Sequence, residues 1–470
     1  MLLTIARHTI RGTVREGRFR VLSIALLLLF LCALYGTYDY YASLRTQHAQ
    51  ASEMARGQWE NQGDKNPHSA AHYGTYVFKP IFPLAYFDRG VDSYTGNTLF
   101  LEAHRSNQAK YALAQDQVAT TRLGVLTPAF VLTLLFPLFI LTLGFGVAAT
   151  ERQNGNLRMM LAQGLRPATL FWGNVLGLWA LVLLLVLPFF ILGGLGLVFA
   201  GAPGDYWWRY LFICLFYVLY FGCFIHLALL ISAWAGRVNT ALVGVLSLWV
   251  LVCLVMPRFT VDAARQLAPT PSWQQYQMAL QKDLKEGVDG HDPASVYTQR
   301  LKEQTLAEHG VDSVHQLPFN WDGFIMQKGE EHETLVYEKQ RQKLAEIYKR
   351  QLSIHQIMGF TSPYLLLKGV SERLAATDVA TYFSFLSAAE KYRIQLVGEL
   401  NGDLRDNFKY GDWDGTRGQE FYSNNSTFSF SPRPLTEILP ELLSPFLVLL
   451  GWLVVTGLGG LFFYQRLRPF

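Results

Sequence analysis

Residues 124–167 read GVLTPAFVLTLLFPLFILTLGFGVAATERQNGNLRMMLAQGLRP, and this stretch decides how the rest of the chain is read. Its first part, 124–149, contains no Asp, Glu, Lys or Arg. It exceeds the roughly 20 apolar residues that a helix needs to cross a bilayer. The charged pair Glu151-Arg152 then leaves the apolar run, and Gly155 permits a tight turn. Asn156 to Ala162 has the pattern of a short amphipathic helix, and Gly164 and Pro167 close it off before the next apolar run begins. Two crossings joined by a short, charged, helical loop are therefore expected.

Working outward, the same signature recurs. The 470 residues are 51 % hydrophobic and 16 % charged, against about a quarter charged in soluble proteins. The excess collects in six runs, 21–40, 124–149, 168–200, 207–234, 238–257 and 441–464. The third is long for one crossing and holds Pro188 and Gly193-Gly194-Leu195-Gly196, so a kink or a re-entrant end is expected there. Pro137 is expected to bend the second run in the same way. The first run also has the length of a signal peptide, but no small-x-small cleavage pattern precedes Asp39, so a retained anchor is expected.

Arginines set the orientation. Arg7, Arg11, Arg15, Arg18 and Arg20 precede span one, Arg152, Arg158 and Arg166 lie between two and three, Arg237 between four and five, and Arg466 and Arg468 after six. Six spans put all four places on one side, which is then cytoplasmic, with both termini. The fold class expected is an all-α polytopic membrane protein of six transmembrane helices. A large, mainly helical periplasmic domain (258–440) lies between spans 5 and 6, and a smaller periplasmic segment (41–122) between spans 1 and 2. Residues 1–20 form a cytoplasmic amphipathic helix, 150–167 an inner helical loop and 465–470 a cytoplasmic tail. The compartment expected is a bacterial inner membrane.

Within the outer part, Lys328 to Met358 is expected to be helical, Ser362-Pro363 to start the next helix and Asp378 to cap another running to about Leu400. The region 402–434 reads as loops, and 41–122 offers only a helix near 100–120.

Several chemistries are excluded or weakened. There is no Gly-Lys dipeptide, hence no Walker A phosphate loop. The spans are nearly free of ionisable side chains, His226 being the one well inside, and it reads as a hydrogen-bonded packing residue rather than a proton relay. Energy must then come from a partner. The four cysteines, Cys32, Cys214, Cys223 and Cys253, all lie in apolar runs, so no disulfide framework forms outside. No basic stripe with interleaved aromatics points to nucleic acid.

Nine outer histidines, His48, His68, His72, His104, His291, His309, His315, His332 and His355, read as scattered and solvated. His68 and His72 have i,i+4 spacing, but Pro67 and the polar run after it argue for a loop. Glu330-Glu331-His332-Glu333 lacks the second His of a metalloprotease helix. The eight methionines form no Met-x-x-Met cluster for soft copper. No metal site and no catalytic constellation are expected.

The inner loop resembles the coupling helix of ABC-2 permeases, in which Glu-Arg is followed by Gly-x-Leu and a Leu-Leu-like pair. Glu151, Arg152, Gly155, Leu157 and Leu161 match, whereas Asn156 stands where Thr is usual and Met160 replaces a Leu. The N-terminal helix resembles the elbow helix of that family. Ser362-Pro363, Ser371, Leu374-Ala375-Ala376-Thr377-Asp378, Phe383, Glu390, Tyr392-Arg393 and Asn401 resemble the DUF3526 group of permeases, often described as like the permease for multicopper-enzyme maturation. That group usually has Gly where this chain has Ala376.

The resemblance implies a non-catalytic transmembrane subunit with ATP and Mg bound by a separate ABC ATPase, and no cofactor on this chain. It implies a second permease, identical or a close paralogue, alongside membrane lipid and a possible periplasmic partner. Gly173 and Gly177, and Gly457, Gly459 and Gly460, offer small faces for close helix packing. Spans two and five line the path in ABC-2 relatives, which makes Phe130, Phe136 and Trp249 substrate-path candidates. The alternatives are a membrane-anchored periplasmic receptor or scaffold without transport, and a membrane-anchored outer-face enzyme.

Overall fold

A computed structural model describes residues 1–110 and 126–467. The chain opens with α1 (Leu2–Arg15) and turns at Glu16 into α2 (Gly17–Glu60). The short α3 (Pro67–Tyr73) and strands β1 (Thr75–Phe78) and β2 (Thr98–Leu101) follow. Next come α4 (Pro128–Gln153), α5 (Asn156–Ala162), α6 (Pro167–Phe199), α7 (Gly204–Trp234) and α8 (Val238–Leu267). The remaining helices are α9 (Trp273–Leu284), α10 (Val296–His309), α11 (Trp321–Met358), α12 (Pro363–Ala375), α13 (Val379–Asn407), α14 (Gln419–Ser423) and α15 (Leu435–Gln465).

Among the described residues six helices are long and apolar enough to cross a membrane: α2, α4, α6, α7, α8 and α15. They coincide with the six apolar runs, although α2 and α8 continue well past theirs. Helix α7 is the centre of the bundle. Some 72 % of its most apolar window is buried, against 22 % for α2, α8 and α15, so those three leave broad apolar faces outward, as a lipid-facing helix must.

Three expectations need correction. The chain is not purely helical: β1 and β2 pair antiparallel, Thr75 opposite Leu101 and Phe78 opposite Thr98. The helix expected near 100–120 is absent as far as Lys110, which bridges back to Thr98, and its remainder lies outside the described residues. Helix α6 runs unbroken through Pro188 with no re-entrant end. Its glycines serve a different purpose. A Cβ on Gly196 would meet the Tyr86 ring at 2.5 Å, and the Tyr86 hydroxyl donates to the Gly193 carbonyl at 2.6 Å. The sequence read a backbone weakness where there is a close contact.

Two other span prolines are marked by π-helical turns, Val131–Leu135 before Pro137 and Val250–Val255 before Pro257. Proline has no N–H to give the carbonyl one turn back. The carbonyls there are met from other helices instead. Tyr220 on α7 donates to Thr133 at 2.7 Å, the Trp249 indole to Leu134 at 3.0 Å, and Ser362 to Val252 at 2.9 Å. Ser362 is thus spent on the bundle rather than capping α12, which begins at Pro363 as expected.

At the opposite end of the bundle from the strands, α1 lies against α6. Ala6, Thr9 and Thr13 are its buried face, while Arg7, Arg11 and Arg15 are exposed. Gly173 and Gly177 make this approach possible: Cβ atoms there would meet Ile5 at 2.6 Å and the Ala6 carbonyl at 2.9 Å. Thr9 donates to Asn174 at 2.9 Å and Asn174 to Tyr464 at 3.1 Å, a buried polar thread through α1, α6 and α15. His226 is a hydrogen-bonded packing residue, 3.1 Å from the Leu453 carbonyl with Gly457 beside it.

At the other end, the fully buried Arg209 at the start of α7 pairs with Asp205 at 2.6 Å and donates to the carbonyls of Leu374 and Arg433. It pins α7 to α12 and to the entry of α15. The segments between α2 and α4 and between α8 and α15 are joined beside it. Asp88 accepts from Ser371, its carbonyl accepts from Thr377 at 3.1 Å, and Val91 donates to the Thr377 carbonyl at 2.9 Å. Ala376 adopts φ +60, a left-handed conformation that favours glycine.

Candidate coupling site

The end of α4 breaks at Phe145-Gly146 and resumes as Val147–Gln153. Ser232 of α7 accepts from the N–H groups of Ala148 and Ala149 at 2.9 and 3.1 Å, satisfying the donors that the new helix start exposes. Gly155 then reverses the chain at φ +80, and Gly164 ends α5 at φ +87. Nothing lies within 4 Å of a Cβ placed at either glycine, so the backbone angle alone selects them.

Between those turns α5 presents two unlike faces. Leu157 is 2 % exposed and seats in the core of the bundle, with Met160 and Leu161 half-buried beside it. Arg152, Asn154, Asn156, Arg158 and Met159 are exposed, and Glu151 is half-buried. A cavity of about 310 Å³ separates α5 from α1, lined by His8, Glu16, Arg18, Glu151, Leu157 and Asn174 among others. Arg18 pairs with Glu16 and lies 4.7 Å over the Phe145 ring, at the break in α4. Of the path candidates, Phe136 is enclosed by Phe139, Phe189 and Phe221, whereas Phe130 and Trp249 are half-buried.

Residues 3–327 match the family model described as ABC-2 family transporter protein. The chain belongs to that family. Residues 274–431 match a second model, Domain of unknown function (DUF3526). No curated protein matches the chain. Membership of the ABC-2 family supports a transport permease role and implies association with an ABC ATPase.

In this ABC-2 protein four of the eleven histidines are not scattered. His68, His72, His104 and His291 converge, with one ring nitrogen of each within 4.8 Å of the others. The helix that carries the first two was read as a loop because of Pro67. In fact Pro67 opens α3, and Asn66 caps it by accepting from the His68 N–H at 3.0 Å. His104 sits at φ +60, held by its N–H to Glu330 at 2.9 Å and its carbonyl to the Tyr337 hydroxyl at 2.9 Å. His68 faces Asn401, and His104 faces Glu333. Behind them Arg393, 1 % exposed, pairs with Glu330 and with Glu390 at 2.9 Å. Glu390, Arg393 and Asn401, which carried the second resemblance, thus meet at one place.

Burial pushes the His68 imidazole down to about 3, partly opposed by Asn401. His72 and His291 are lowered by burial and by the neighbouring rings. For His104 burial also lowers, but Glu333 and Glu330 outweigh it and the group is raised. Elsewhere His309, His315, His332 and His355 make separate local contacts or packings and take no part in the cluster.

Proposed function

We propose that this chain is the transmembrane permease subunit of an ABC-2 type transporter in a bacterial inner membrane. ATP hydrolysis, with its Mg, occurs on a separate ABC ATPase chain. The observation that carries the reading is α5, with Leu157 locked into the bundle while Arg158 and Met159 face outward between two glycine turns and Arg152 is exposed just before the first. Such a helix is small enough to seat in a partner's cleft and firmly enough rooted to move the spans it is attached to. Glu151, Arg152, Gly155, Leu157 and Leu161 are assigned to that coupling.

On this reading α1 lies on the cytoplasmic face with both termini, and the segments carrying α3 and α9–α14 are periplasmic. Two permeases, identical or paralogous, pack in the membrane over two ATPases, and this chain binds neither the ATP nor its Mg. Phe130, Phe136 and Trp249 belong to the spans that shape the path. ATP-driven closure of the ATPases presses on α5. The strain reaches α4 through Gly146, and its proline-marked π turn at Val131–Leu135 is where the span yields.

Affinity purification from native membranes in mild detergent, with mass spectrometry of what stays bound, tests the proposal. Recovery of a Walker-A-bearing ATPase, lost in the Glu151→Ala/Gly155→Val variant, is expected. Isolation of the wild-type chain without any ATPase in detergent and in nanodiscs would overturn it.

A further inference from the structure

Four imidazoles from three separated parts of the chain meet at the outer end: His68 and His72 from α3, His104 from the turn after β2, and His291 from the connection between α9 and α10. The nitrogens face one another in pairs. His68 Nε2 stands 3.2 Å from His72 Nε2, and His104 Nε2 stands 3.0 Å from His291 Nε2. Nitrogens bound tetrahedrally to an ion at 2.0–2.1 Å stand about 3.3 Å apart, so these pairs are close to ligand spacing already.

The outer nitrogens decide which tautomers are present. His68 Nδ1 lies 3.1 Å from the Asn401 amide oxygen, whose own amide nitrogen is turned toward Gln327 at 3.4 Å. An oxygen there requires Nδ1 to carry the proton and leaves Nε2 as a lone pair. His104 Nδ1 donates in the same way to the Glu333 carboxylate at 3.0 Å. Each pair thus contains one Nε2 lone pair aimed at the common centre. A histidine oriented by a carboxylate or a carbonyl oxygen on its far nitrogen is the usual support of a metal ligand.

The support is itself built firmly. Asn401 is fully buried, and the Arg393–Glu330–Glu390 group holds the His104 backbone in its left-handed conformation. A strained, non-glycine ligand backbone fixed by a buried ion network costs free energy that packing alone does not require. His72 and His291 are exposed, so the cluster is open to solvent on one side.

We propose that His68, His72, His104 and His291 bind one divalent first-row transition ion of the Zn²⁺ type. Imidazole nitrogens suit Zn²⁺, Cu²⁺ or Ni²⁺, whereas Ca²⁺ and Mg²⁺ take oxygen ligands and Cu(I) favours sulfur. In the bound state His72 and His291 carry their proton on Nδ1, which leaves a lone pair on each Nε2. The ion ties the 285–295 connection to the first outer segment, adding a joint between α3 and the start of α10.

The test uses the full-length chain in detergent, purified without a polyhistidine tag and stripped with chelator. Zn²⁺ is then titrated against a chromophoric competitor. One tight equivalent per chain is expected. His291→Gln, on a solvent-facing connection, should weaken it at least tenfold, and Glu333→Gln about tenfold through lost orientation. His309→Gln should change nothing. Co²⁺ in place of Zn²⁺ should give the visible absorption of a four-coordinate nitrogen site. Equal binding by wild type and His291→Gln, with both eluting as folded monodisperse protein, would overturn the proposal, as would the absence of a tight equivalent in the wild type.

Discussion

The Tyr220 hydroxyl donates to the Thr133 carbonyl across 2.7 Å, filling the place of the N–H that Pro137 lacks. Both residues are buried in the bundle. Tyr220→Phe keeps the ring contacts with Phe221 and Phe224 and removes only the donor. A buried carbonyl left without a partner costs about 1–3 kcal/mol in general, and less inside a membrane bundle where other donors are found. The melting temperature in detergent should fall, while Tyr220→Phe in a Pro137→Ala background should fall less.

Leu157→Ala removes the anchor of α5. Truncating a buried Leu costs about 2–5 kcal/mol, but α5 is a short surface helix and the loss should appear locally. Limited trypsin digestion should cut at Arg152 and Arg158 faster in the variant, with little change in the global melt. Unchanged cleavage would mean that α5 is held by its glycine turns alone.

Ala376 sits at φ +60, where each non-glycine residue is disfavoured by about 1–2 kcal/mol. Ala376→Gly relieves that strain at the loss of one buried methyl, so stability should stay within about 1 kcal/mol of wild type. Ala376→Val places a β-branched residue in the same conformation and should be severely destabilising. Chemical denaturation of the two variants side by side decides it.

Glu372 lies in α12 beside Lys368 and Asp88. Burial raises its carboxyl to about 8, with Asp88 adding to the rise and Lys368 opposing it. The folded state then holds a proton that the unfolded chain releases near the ordinary carboxylate value. Its contribution is fully present at low pH and is lost as pH rises toward about 8. Melting between about pH 5 and pH 8 should show stability declining with pH, and Glu372→Gln should flatten that decline. A steeper decline in the variant would contradict the assignment.

Much of the membrane part was legible because a span announces itself by composition alone. The six runs, Gly155 and the start of α12 at Pro363 all follow from local rules. The misreadings have a common cause in distance along the chain. β1 and β2 are four residues each and find their pairing only across an intervening loop. The histidines at 68 and 104 are positioned by residues at 330, 333 and 401, and His291 meets them from another connection. The one local clue, the His68–His72 spacing, was discounted because Pro67 was taken as a breaker when it is an opener. Gly173 and Gly177 were seen as contact glycines, but sequence spacing does not say that their neighbour is α1.

Helix α2 continues for 44 residues without interruption, from the Glu16 turn to Glu60. At 1.5 Å per residue it is about 66 Å long, roughly twice the hydrocarbon thickness it crosses. Its far end is bound to α14 by Trp59, whose indole donates to the Tyr422 carbonyl at 3.2 Å. A rod of that length multiplies angles into distances: a tilt of about 5° at its base displaces the tip by about 6 Å. Small rocking near α1 would thereby reach α14 as a larger displacement, with no break in the helix between to absorb it.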